Sequence, residues 1–210
     1  MLNYLKEQRR IWLFAAEQRR NLERKCRLIN SIDDLLSRHQ LTNSISTESL
    51  DLGSGPRPRN PFNASRVVGI DVCANADNHV IQADLSIDSI PFPDNSFDFC
   101  TAFDFIEHIP RSVVIDRQTR FSFIEVMNEV HRILKPGGLF FHATPAYPAK
   151  EAFVDPTHVN IISEDTFEHY FCEPMLYAKT IGYGFKGRFK FHDQAWLKGS
   201  KLVSIISAIK

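Results

Sequence analysis

The sequence predicts an α/β domain built on a doubly wound, mostly parallel sheet. Short apolar strands alternate with amphipathic segments and brief turns, the pattern of strands linked by helical crossovers. A strand through Ser49 and Leu50 runs into Asp51-Leu-Gly-Ser-Gly55, a Gly-x-Gly turn. A second strand, Val67-Val68-Gly69-Ile70-Asp71, closes on a carboxylate. Glycine has no Cβ, so backbone N–H groups in such a turn can approach a ligand closely. An acid ending the next strand is positioned to accept both hydroxyls of a ribose. Together these features describe a pocket for a nucleoside-bearing cofactor at the carboxyl edge of the sheet.

The 210 residues suit one such domain with a sizeable core. The formal net charge of zero provides no global field to recruit nucleic acid or an anionic membrane. The longest apolar run near the N-terminus, Ile11 to Ala16, is too short for a membrane span or a secretory segment. Four cysteines (Cys26, Cys73, Cys100 and Cys172) lie far apart with no C-x-x-C pair. That spacing reads as reduced, buried thiols in a cytoplasmic protein, not as a disulfide or zinc framework.

Residues 1–40 read as an N-terminal helical extension ahead of a domain at 41–210. The expected helix runs from residue 3 to about 39, with a break near Asn30-Ser31. Tyr4, Ile11, Ala15, Leu22, Cys26 and Ile29 fall on one face, and Arg9, Arg10, Arg19, Arg20, Arg24 and Lys25 on the other. Two readings stand for it: a helix packed on the domain with a solvated basic face, or an arm that forms a homodimer or leads an anionic substrate inward. Residues 41–49 form a polar linker.

After Gly55 the chain places Pro56, Pro58 and Pro61 within six residues, which denies a regular helix start. Pro58 stands where a dinucleotide fingerprint needs its third glycine, so a pyrophosphate guest is disfavoured. A short strand leads toward Ala83-Asp84. Residues 97–103 are apolar or small almost throughout, as in a strand covered on both faces. Residues 115–134 read as a helix with Phe121, Ile124, Val126, Met127, Val130 and Ile133 on one side. Pro136-Gly137-Gly138 should stop it and turn into a strand at 139–143. Ser163 is a candidate cap for a short helix bearing Phe167, Tyr170 and Phe171. Residues 186–191 and 202–209 read as two further strands.

The motifs Asp51-Leu-Gly-Ser-Gly55, Gly69-Ile-Asp71-Val72, Ala83-Asp84-Leu85, Pro91-Phe-Pro-Asp-Asn-Ser-Phe-Asp98 and Leu134-Lys-Pro-Gly-Gly-Leu139 occur in order. This series, over roughly residues 45 to 145, resembles the class I S-adenosylmethionine-dependent methyltransferases of the type 11-like group. The resemblance implies a Rossmann-like, seven-stranded sheet finished by an antiparallel hairpin, and S-adenosylmethionine as cofactor. It assigns Asp51, Gly53, Ser54 and Gly55 to the methionine part and Asp71 to the ribose hydroxyls. Val72 falls against the adenine, Asp84 on its amino group, Leu85 offers a backbone N–H, and Phe103 joins the cofactor contacts. The span from Gly55 to Val67 is shorter than usual in the family, so the first helix is expected to be shortened or irregular.

Two constellations bear on the reaction. If Asp104-Phe-Ile-Glu107-His108 is helical, Asp104, Glu107 and His108 share a face. The segment resembles that of ubiquinone-pathway O-methyltransferases and small-RNA 2′-O-methyltransferases, where a Glu-x-x-Glu-His run holds a divalent cation. In this sequence the first glutamate is Asp104. A metal site, a general base at His108 and a purely structural cover over the cofactor are the three readings. Next, Asp155-Pro-Thr-His158 follows the strand at 139–143, where an Asp and a His could orient or deprotonate a hydroxyl; a loop tied by its own turn is the alternative. Similar segments occur in methyltransferases associated with surface polysaccharide synthesis. The Asn/Asp-Pro-Pro-Tyr motif of amino-group methyltransferases is absent, as is a clustered basic-aromatic surface for nucleic acid. The expected function is therefore methyl transfer to a hydroxyl oxygen of a small molecule or glycan. The competing expectation is a cofactor-binding partner subunit without activity.

Overall fold

The computed structural model describes residues 4–13, 26–39 and 46–210. Residues 4–13 are helical (α1), and every one of them is exposed, Tyr4, Ile11 and Trp12 included. Ala15, Leu22 and the cations Arg19, Arg20, Arg24 and Lys25 lie outside the described residues. Where the description resumes, the expected helix is replaced by a strand, β1 (Arg27–Ile29), and a single turn, α2 (Asp33–Leu36). The helical reading rested on Cys26 and Ile29, which share a helix face but point to opposite faces of a strand. In the fold Cys26 enters the core layer on one side of the sheet and Ile29 the layer on the other.

The strands continue as β2 (Glu48–Leu52), β3 (Arg66–Asp71), β4 (Val80–Gln82) and β5 (Phe97–Phe103). After β6 (Val113–Ile115) and β7 (Gln118–Arg120) come α3 (Ser122–Ile133) and β8 (Leu134–Pro145). Three short helices follow, α4 (Glu151–Val154), α5 (Thr166–Phe171) and α6 (Tyr177–Thr180), and then β9 (Phe189–Leu197) and β10 (Lys201–Ala208).

Among the described residues the main sheet has eight strands in the order β1-β9-β10-β8-β5-β2-β3-β4, one more than expected because β1 adds to the edge beside β9. All its pairs are parallel except those of β10, which runs antiparallel to β8 and β9. The Arg27 guanidinium fastens β1 through two 2.6 Å hydrogen bonds to the Asp193 carboxylate.

The helix expected from residue 115 starts only at Ser122. Val113–Arg120 forms a hairpin instead, because β-branched residues flank Asp116 and Arg117, both at positive φ (50° and 64°). Phe121 thus falls outside α3 and is exposed. Beyond the helix, β8 runs through Pro136-Gly137-Gly138, its register against β5 shifting between Phe97 and Phe99. Ser163 does not cap α5; its N–H donates to the Thr166 hydroxyl (3.0 Å). Cys26, Cys100 and Cys172 are buried as expected, but Cys73 is exposed. Among the described residues no helix is long and apolar enough to cross a membrane.

The two faces of the sheet are covered differently. On one, Met127, Val130 and Ile133 of α3 and Phe167 and Phe171 of α5 join Leu50, Leu52, Ile70, Cys100 and Phe140 in one core. On the other, no helix follows β2, in agreement with the three prolines. Phe62 of the proline loop and Leu35 of α2 lie over Phe99, Phe141, Val203 and Ile205. The Phe62 ring stacks on Phe99 at 4.4 Å and meets Phe141 edge-on at 6.2 Å. The Asn60 side chain holds the loop closed, bonding both N–H and C=O of Ala64 (2.8 and 2.9 Å). One aromatic ring therefore takes much of the place of a helix. Phe62→Ala should cost about 3–5 kcal/mol of unfolding free energy, read from urea denaturation. A loss under about 1 kcal/mol would show that the loop is not a structural cover.

Candidate functional site

The carboxyl ends of β2, β3, β4 and β5 form one edge, and the predicted cofactor residues gather there. Gly53 and Gly55 both adopt left-handed backbone angles (φ 61° and 59°). At Gly53 a Cβ would also collide with the Phe105 ring, 2.8 Å from its Cγ. The Ser54 N–H bonds to the Ile70 carbonyl (3.1 Å), tying the turn to β3. Gly69 in β3 is needed for the same closure: a Cβ there would meet Pro58 Cγ at 2.7 Å and the Ser54 side chain.

Asp71 accepts from two backbone N–H groups, Gly55 to Oδ2 (2.9 Å) and Cys73 to Oδ1 (3.1 Å). Each oxygen keeps a second lone pair, and the carboxylate plane is fixed. Val72 beside it is exposed. Asp84 is exposed just past β4, its Oδ1 accepting the Ser86 N–H (2.9 Å) while Leu85 is buried.

Asp51 is buried under the turn. Its Oδ1 accepts the Thr101 hydroxyl (2.6 Å) and its Oδ2 the Arg59 N–H (2.8 Å). Burial pushes its carboxyl up to about 6, against the pull of those two hydrogen bonds. Phe103 ends β5 with the Arg59 guanidinium 4.6 Å above its ring. Arg59 was not expected here; its place in an irregular proline loop carries no periodic signal.

The second group departs from expectation. The segment at 104–108 does not form the expected helical face. Asp104 takes a left-handed φ of 51°, and only Ile106–His108 make a single tight turn. The Asp104 carboxylate pairs with Lys201 Nζ at 2.6 Å. His158 takes its place in the cluster: the ligating atoms of Glu107, His108 and His158 all lie within 4.8 Å of one another. The two imidazoles meet edge-on, with centroids 5.0 Å apart.

Glu107 is buried. Its Oε2 accepts the Thr144 hydroxyl (2.6 Å), and its Oε1 has no partner among the described residues. Burial raises its pKa. The Glu107 carbonyl accepts from both Val159 and Asn160 N–H (2.9 Å each), joining the end of β5 to the loop after β8.

His108 is exposed, its Nδ1 lying 3.1 Å from the Thr157 hydroxyl and 3.3 Å from the Thr157 carbonyl. That hydroxyl donates to Asp155 Oδ1 (2.7 Å), which also accepts the Thr157 N–H (2.8 Å). The Thr157 bonds hold the Asp155 carboxyl below its ordinary range. His158 Nε2 stands 3.9 Å from Asp155 Oδ2, and its buried Nδ1 has no partner among the described residues.

A glycine turn over a buried acid, a fixed carboxylate ending the next strand and an acid–imidazole group just past β5 thus lie along one edge of a Rossmann-like sheet. Residues 50–142 match the family model described as "Methyltransferase domain". The PH0226 protein of Pyrococcus horikoshii OT3 is 17% identical, with 84% of this chain and 88% of that one aligned at a TM-score of 0.56. A SAM-dependent methyltransferase from Aquifex aeolicus is 16% identical, with 86% and 90% aligned at 0.52. A Galdieria sulphuraria chain is 23% identical, with 54% of this chain and 43% of that one aligned at a TM-score of 0.39. No curated protein matches the sequence. Residues 50–142 thus match a methyltransferase domain, and the fold is the one these solved structures share.

Asp51 generates a pH signature. Its folded value of about 6 lies above the ordinary 3.8, so the folded protein binds this proton more tightly than the unfolded chain. Its contribution to stability is therefore fully present at low pH and lost as pH rises from about 4 to about 6, on the order of 3 kcal/mol in all. Asp51→Asn should remove that slope, so the variant gains on the parent between about pH 4.5 and pH 7 in urea melts. A stability difference that is flat across the window would mean Asp51 is not destabilised by burial.

Proposed function

We propose that this protein transfers a methyl group from S-adenosylmethionine to a hydroxyl oxygen of a small molecule or glycan. The cofactor supplies an electrophilic methyl group on a sulfonium. In this reading the Asp51-Leu-Gly-Ser-Gly55 turn, with Gly53, Ser54 and Gly55, faces the methionine part. Asp71 receives the ribose hydroxyls on the free lone pairs of its two oxygens. Val72, Asp84 and Leu85 surround the adenine, and Phe103 closes the base of the site.

The observation that carries oxygen transfer is the chain from His108 through Thr157 to Asp155. The Thr157 hydroxyl donates to Asp155, so it accepts from His108 Nδ1–H. That fixes the tautomer with Nε2 unprotonated, and the ring is exposed. A base oriented by a third group is what hydroxyl activation needs. On methyl transfer the acceptor oxygen would exchange its proton for the methyl group, the cofactor leaving as a neutral thioether; His108 Nε2 would take that proton, and Asp155 would stabilise the imidazolium through Thr157. His158 packs against His108 as a second imidazole close to the same carboxylate.

A specific observation favours a second reading, with a divalent cation held by Glu107, His108 and His158. Their clustered ligating atoms and the unpartnered Glu107 Oε1 fit such an ion. Asp104 adds nothing to it while paired with Lys201.

Cofactor choice is checked by thermal shift. S-adenosylmethionine at a hundredfold over its Kd should add about 2.7 kcal/mol of stability, and NAD should add none. Asp71→Ala should cost about 2–4 kcal/mol of cofactor binding in calorimetry. Stabilisation by NAD alone would reverse the assignment.

The base is checked by turnover on a panel of hydroxylated acceptors. His108→Ala should lower kcat by about 10² to 10⁴ with cofactor Kd unchanged, and His158→Ala should lower it less. Turnover should persist in chelator; loss of activity restored by magnesium or manganese would assign these side chains to a cation. A product methylated on nitrogen, or no turnover on any acceptor with cofactor bound, would overturn the reading.

A further inference from the structure

A cleft of about 580 Å³, within the range of small-molecule sites, is lined by Arg111 and Asn160. Its walls are mostly aromatic, with Phe121, Phe123, Tyr147, Tyr170, Phe171 and Tyr183 among them. Phe121, Tyr147 and Tyr183 remain exposed by 43%, 47% and 40%. Phe121 and Tyr183 face one another at 5.8 Å between centroids.

Asn160 connects the cleft to the reactive turn. Its Nδ2 donates to the Ile106 carbonyl (3.1 Å), its N–H to the Glu107 carbonyl (2.9 Å), and its Oδ1 accepts from Arg111 Nε (3.1 Å). Among the described residues Arg111 is the one charged side chain lining the cleft. Its Nη2 donates to the Ile161 carbonyl (2.5 Å), so the guanidinium plane is locked, while Nη1 has no partner among the described residues. A cation so held is preorganised for an anion.

Resting on the hydroxyl-methylation reading above, we infer that the acceptor is an aromatic small molecule whose ring fills this cleft and whose anionic substituent pairs with Arg111. A glycan fits the lining poorly. A buried sugar needs partners for several hydroxyls, and each one left without a partner costs about 1–3 kcal/mol. Among the described residues no carboxylate or lysine lines the cleft. Its side-chain amide, Asn160, is committed and Ser163 and Thr166 bond to each other, which leaves the hydroxyls of Tyr147, Tyr170 and Tyr183, too few for a ring of several hydroxyls. A flat ring instead gains from contact with aromatic walls and asks for few hydrogen bonds.

The test measures binding by calorimetry on the full chain, with hydroxynaphthoate, naphthol and methyl glucoside as probes. Hydroxynaphthoate should bind about tenfold or more tighter than naphthol, the scale of a charge-assisted hydrogen bond. Arg111→Gln should abolish that preference and leave naphthol affinity unchanged. Phe121→Ser should weaken both ring probes, and methyl glucoside should not bind. Equal affinities for hydroxynaphthoate and naphthol, or tighter binding of methyl glucoside, would overturn the inference. Because binding is read without turnover, a bound but unmethylated hydroxynaphthoate would count against the methylation reading and leave the cleft as an aromatic-anion site.

Discussion

The cofactor edge depends on one buried carboxylate. Asp51 sits beneath the glycine turn and accepts from Thr101 on the neighbouring strand and from the Arg59 backbone in the proline loop. Three separate pieces of chain are thereby referred to one group. The arrangement has a cost, because burial disfavours the ionised form and lifts the carboxyl to about 6. A cationic amino group arriving over the turn would offset that cost. The scaffold thus holds a charge that a ligand can relieve, which is a common way for binding sites to carry strain.

The glycines explain why the loop can close at all. Gly53 admits the Phe105 ring, and Gly69 admits Pro58 and Ser54 against β3. These contacts let an irregular, proline-bearing segment lie flat on the sheet where a helix would otherwise start. Phe62 then finishes the cover by stacking on Phe99. The result is a sheet with α3 and α5 on one face and the proline loop with the single turn α2 on the other.

A second hinge of the architecture is the Glu107 carbonyl, which receives two N–H groups from the loop after β8. It brings His158 and Asp155 to His108 and, through Asn160, brings Arg111 to the aromatic cleft. Not every histidine is recruited to chemistry. His142 is fully buried in β8, with neither ring nitrogen partnered among the described residues, and it stacks on Phe167 at 3.8 Å. Burial pushes it down to about 3, so it stays neutral and acts as an aromatic core residue.

The sequence by itself determined the parallel strands, the glycine turn, Asp71 at a strand end and most of the α3 packing face. Each of these follows from local rules: periodicity, the missing Cβ of glycine, the fixed φ of proline. Tertiary structure decided the rest. Cys26 and Ile29 read as a helix until Asp193, far along the chain, captured Arg27 and made that segment a strand. Asp104 read as a partner of Glu107 until Lys201 took its charge. His158 read as a loop residue with its own role and instead faces His108. The cleft is built from stretches of chain far apart in sequence, and its Arg111 guanidinium is oriented by Asn160. Local propensity fixes which way a side chain leaves the backbone, but which charge or ring it meets depends on contacts between residues distant in sequence, and those exist only after the chain has closed.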